Sequence, residues 1–150
     1  MKQKRIDSQD HKALAIWAAD CAEHVLPYFE KEYPKDDRPR KAIEACRTWA
    51  RTGVFKMADV RNAALAAHAA AREVEEDNAA RFAARAAGQA LGTAHVPGHA
   101  NHAAEYAVKS AEAAGITNER EWQYRKLPKH LRSWYSHNRI INTNIQDKIK

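Results

Sequence analysis

Apolar positions recur at three- and four-residue spacing along most of the chain, the period of a helix buried on one side. The first run starts near Ser8 or Asp10, either of which can cap a helix, and its stripe is Leu14, Trp17 or Ala18, Cys21 and Val25. Pro27 has no amide proton, so this helix is expected to end or kink there, with a short turn over 28–33. Asp36-Asp37-Arg38-Pro39 marks a second start, with acids at the positive helix end and proline in the first turn. That helix runs to about Thr52, burying Ala42, Ile43, Cys46, Trp49 and Ala50, and Gly53 closes it.

The pattern predicts a third helix over 57–74, a fourth over 78–95 and a fifth over 97–114. Two short helices, 118–126 and 129–137, are separated at Leu127-Pro128. Residues 138–150 are polar, basic and weakly patterned, and are expected to form a mobile tail. Alanine fills about one position in five, and it is the best helix former because it loses no side-chain entropy. The fold class expected is all-α: a compact, alanine-rich bundle of about five main helices plus short C-terminal helices, in one domain over residues 1–137.

Charge changes the picture less than the net value of +6 suggests. Lys2, Lys4 and Arg5 lie at one end, and residues 119–150 hold eight Lys/Arg against three acids at the other. The helical body is close to neutral, which weakens an inference from basicity to nucleic acid. No apolar stretch is long enough to span a membrane and no apolar leader follows Met1, so the compartment expected is the cytoplasm. Cys21 and Cys46 form no Cys-x-x-Cys pair, fall on apolar faces of different helices, and are expected as free thiols.

The most informative constellation is Arg81, Arg85, Gly88, Gly92, His95, His99 and His102, which would share one face of a continuous helix. The glycines would let a helix or a ligand approach bare backbone, or simply permit close packing. His95-x-x-x-His99-x-x-His102 has chelating spacing, but Pro97 between the first pair bends the geometry, and a metal at this site is left open. No cofactor is expected. Trp17, Asp20 and His24 are helical neighbours, and an Asp–His pair there would orient an imidazole or make a surface contact. His68 interrupts a run of small apolar residues beside Arg61 and Arg72, so it is either bonded within the core or lines a pocket. Trp122 to Arg139 interleaves rings and cations, which can stack bases or dock the segment as a lid. Phosphate-loop, dinucleotide and serine-nucleophile signatures are absent; Cys21 beside His24 is the weaker thiol candidate.

Residues 14–30 (LAIWAADCAEHVLPYFE) and 36–45 (DDRPRKAIEA) resemble the start of the bacterial "putative immunity protein" family. Residues 66–72 (AAHAAAR), 84–90 (ARAAGQA), 93–100 (TAHVPGHA) and 121–132 (EWQYRKLPKHLR) resemble its later blocks, so the likeness covers roughly 10–133. It implies an α-helical fold and non-catalytic neutralisation of a partner bacterial toxin by binding it. Motif positions carried over as candidate binding residues are Trp17, Asp20, Asp37, Arg40, Trp49, His68, Arg72, Arg85, His95 and His99. The alternatives are a small-molecule or metal pocket built from Asp20, His68, Arg85, His95 and His99, and nucleic-acid binding by the basic, aromatic C-terminus.

Overall fold

A computed structural model describes residues 6–76 and 78–135, and every regular element among them is helical. The order is α1 (Ser8–Glu32), α2 (Arg38–Thr52), α3 (Met57–Glu73), α4 (Ala79–Gly92), α5 (His99–Ala113) and α6 (Glu119–Lys126). A 3-10 turn, Lys129–Leu131, and a helical stretch over 132–135 follow, where the sequence predicted one helix over 129–137. The tail expected over 138–150 lies outside the described residues.

Helix α4 is the hub: it packs on α1, α2, α3 and α5. Its buried positions are alanine apart from Gly88 and Leu91, so it can serve as a slim centre for four neighbours. Bulk comes from the periphery. Helix α1 brings Leu14, Trp17, Leu26 and Phe29, α2 brings Ile43, and the C-terminal segment brings Leu127, Leu131, Trp134 and Tyr135. No described helix is long and apolar enough to cross a membrane.

Three boundaries differ from the sequence reading, each for a physical reason. Helix α1 is capped by Asp7, whose carboxylate accepts from the Asp10 amide at 2.8 Å, and not by Ser8 or Asp10. It also runs through Pro27 to Glu32. An interior proline costs about 3 kcal/mol, but ending the helix there would expose Phe29 and loosen Leu26, each contributing about 1.5–3 kcal/mol when buried. Pro27 itself faces outward.

Helix α4 stops at Gly92 and α5 begins at His99, with successive turns between them, so His95 belongs to neither helix. Pro97 is the cause: it has no N–H to offer the Thr93 carbonyl four residues back. That buried carbonyl instead accepts from His11 Nε2 at 2.5 Å, and the His11 ring lies against Trp49 at 4.7 Å.

Candidate functional site

The seven-residue stripe predicted across 81–102 is divided by the turn after Gly92, and the α4–α5 hairpin then reassembles part of it. His99 folds back onto Gly92, where an added Cβ would meet its Cγ at 3.0 Å. Its Nδ1–H donates to Gln89 Oε1 at 2.6 Å. From α3, His68 lies over Gly88 so closely that a Cβ there would fall 2.6 Å from its Nε2. The two glycines of α4 therefore seat two imidazoles, one from each neighbouring helix. Neither is open backbone awaiting a ligand.

His68 is half-buried, and its Nδ1 accepts from Arg85 Nη1 at 3.3 Å. Accepting there requires a lone pair, so the ring is neutral in this arrangement. Burial, then the Arg85 and Arg72 charges and His99, hold its pKa below the ordinary imidazole value. Burial, then His102 and His95, lower His99 in the same direction. His99 and His102 have ring centroids 6.0 Å apart, and exposed His95 lies over Phe55 at 6.1 Å. Among the described residues no three His, Cys, Asp or Glu side chains are placed to hold a metal ion. Arg81 caps instead: its guanidinium donates to the Val74 carbonyl, and its amide to Asn78 Oδ1 at 3.1 Å.

Asp20 does not join this group, and it does not pair with His24. Its carboxylate is 3.0 Å from Arg47 on α2. Arg47 also reaches Glu23 at 3.4 Å, and Arg40 spans Glu23 and Glu30 at 3.4 and 2.8 Å. The result is a ladder of carboxylates on α1 against guanidiniums on α2. Glu23, Glu30 and Arg47 were missed by the sequence reading, although a signal was present. Glu23 and Glu30 are two helical turns apart, as are Arg40 and Arg47, so antiparallel packing matches one pair to the other.

The remaining candidates are structural in their contacts. Trp17 is buried, and its Nε1–H donates to the Gln123 carbonyl at 2.8 Å; Gln123 Nε2 donates to the Ala104 carbonyl at 2.9 Å. Asp37 is the N-cap of α2 without a side-chain capping bond, and it faces exposed Lys41 at 3.3 Å. Asp36 is the engaged acid of that pair of neighbours, taking Arg38 Nη2 at 2.7 Å, and this bond lowers its pKa. Arg72 is exposed, and Trp49 is covered by His11. Cys21 and Cys46 are buried free thiols pushed upward by burial, Cys46 to about 12, which disposes of the Cys21–His24 candidate.

One surface feature of the α1 face was not anticipated. His24 Nδ1–H donates to buried Glu119 at 2.8 Å, and its ring stacks on Trp122 at 3.7 Å and 10°. This stack is the shared wall of two hollows. One, of about 430 Å³, is lined by Asp20, Glu23, His24, Pro27, Trp122 and Lys126. The other, of about 320 Å³, is lined in part by Tyr28, Ile116 and Glu119. The interleaved rings downstream are occupied: Trp134 and Tyr135 are buried, and Tyr124 carries Arg132 at 5.0 Å.

No curated protein and no solved structure matches the chain. A family description does match, over residues 4–130, which takes in all six helices and the ten candidate binding residues from Trp17 to His99. The chain belongs to the Imm-5 like putative immunity protein family.

Proposed function

We propose that the chain is a non-catalytic immunity protein that binds and neutralises a partner bacterial toxin in the cytoplasm. Family membership carries this reading. The α1–α2–α6 face supports it. Trp122 is a half-exposed aromatic stacked firmly on His24 between two hollows, and an anchored ring of this kind is what a protein interface uses as a hot spot. The Asp20–Glu23–Glu30 ladder and its arginines give the rim fixed charges that select a partner and its orientation.

Co-expression with any toxin-like product encoded beside its gene tests the reading. The expected result is rescue of growth and a one-to-one complex by size-exclusion chromatography. Trp122→Ala should weaken that complex by about 2 kcal/mol or more, while leaving the helical content intact. Failure of the wild-type chain to rescue cells from that toxin would remove the proposal.

A further inference from the structure

Arg38, Arg40, Arg47 and Arg120 each face at least one carboxylate, Arg120 meeting Glu105 at 2.5 Å. Arg85 does not. Among the described residues its one hydrogen-bond partner is His68 Nδ1, which accepts from Nη1 and carries no charge to offset the guanidinium. A guanidinium has five N–H donors in a planar fork, so the rest of this fork has no protein acceptor among those residues. Arg85 is nevertheless half-buried, on the central helix, with its orientation fixed by a histidine that is itself seated on Gly88.

Among the described residues, the groups that act on His68 and His99 add the Arg72 guanidinium and no carboxylate. Arg72 lies one turn from His68 on the same face of α3, and His99 approaches from α5 with His95 and His102 beside it. A half-buried cation with free planar donors, flanked by a second arginine, matches the geometry of an oxyanion, which takes two parallel N–H bonds from one guanidinium.

We propose that Arg85, positioned by His68 and assisted by Arg72, binds a small oxyanion group, phosphate or carboxylate, on the α3–α4 face. The site uses helices other than the α1–α2–α6 face, so it stands or falls independently of toxin binding. Arg85 makes the contact, Arg72 strengthens it by charge, and His68 acts through Arg85. Bound anion also offsets the charge that opposes protonation of His68.

The test is an NMR titration of the full chain, following the Arg85 Nε–H and His68 imidazole signals. Inorganic phosphate and acetate are the two arms, with sodium chloride at matched ionic strength as the reference. A saturable shift in phosphate alone assigns a phosphate group; one in acetate admits carboxylates as well. Arg85→Gln should weaken binding about tenfold or more, the loss expected of a charge-assisted bond. Arg72→Gln, at an exposed position that does not endanger folding, should weaken it less, and Arg40→Gln should not change it. In the wild type the His68 titration midpoint should rise as anion is added. If neither anion shifts these signals beyond the chloride reference, or if binding survives Arg85→Gln, the site does not exist.

Discussion

The α1–α2 face and the α3–α4 face both carry arginines held by neighbouring side chains, yet they are electrostatically opposite. On the first, Arg40 and Arg47 each span two carboxylates, so the charges are matched within the fold. On the second, Arg85 leans on a neutral imidazole with Arg72 close by, and among the described residues no acid balances them. A matched network has little left to offer a small ion and acts as a rigid, patterned surface. An unmatched one retains attraction for an anion. The same residue types thus serve shape in one place and charge in the other.

The largest effect is expected at the seam that holds the first face to α6. Trp17 fills the core and bonds the Gln123 carbonyl, and Gln123 is in turn tied to α5. Trp17→Ala should cost about 3–5 kcal/mol through the cavity and the lost hydrogen bond, read by urea denaturation. It should also loosen Trp122 from His24. A loss under about 1 kcal/mol would mean that α6 docks by other contacts, since that is the usual worth of one hydrogen bond.

The second face is broken more gently at Gly88. Alanine at an interior helix position is better than glycine by about 0.8–1 kcal/mol, but here its Cβ would fall 2.6 Å from His68 Nε2. Gly88→Ala alone should therefore displace His68 from Arg85 and forfeit most of that gain. In a His68→Ala background the obstruction is gone, and the same change should stabilise by the full ~1 kcal/mol. A double-mutant cycle measures this coupling, and strict additivity would contradict the seat.

How much of this was legible in the chain is clearest residue by residue. Helix periodicity located all six helices, because alanine-rich stripes and the punctuating Gly53 are local signals. Read as a helix end, Pro27 misled, because a local rule was overridden by burial of Phe29, a tertiary fact. The stripe at 81–102 was read as one face of one helix, and the hairpin turned it into a contact between helices. Its glycines and histidines were the right residues, but their partners became visible only in three dimensions. His11 was missed altogether, since nothing near it in sequence shows that it will serve the carbonyl Pro97 leaves unpaired.

Acidification should separate the two faces. His68 and His99 have lowered pKa values in the fold, so as pH falls below the unfolded imidazole value of about 6.5 the unfolded chain takes up protons first. Stability contributed by these two rings is fully present above that value and is lost as pH falls toward their folded values. Arg85→Gln removes part of the cause for His68 and should flatten the slope of stability against pH below about 6.5. Arg40→Gln should leave that slope unchanged, and equal slopes in both variants would place the effect elsewhere.

The smallest effect should be the most telling, because it differs in sign. Arg40 and Glu30 are both more than a third exposed, so Arg40→Ala should cost only about 0.2–1 kcal/mol. Arg85→Gln loses one hydrogen bond to His68 but removes one of the two guanidinium charges that act on that ring, and Gln keeps an N–H donor, so the net change should be within about 0.5 kcal/mol of zero. Salt separates the two. Screening weakens attraction on the first face, so added salt should erode the advantage of the wild type over Arg40→Ala. It weakens repulsion on the second, so salt should favour the wild type over Arg85→Gln. Denaturation of both variants across a salt series gives two slopes of opposite sign if one face is matched and the other is not. Parallel slopes would show that Arg85 has an acidic partner after all, and the distinction between the faces would then rest on geometry alone.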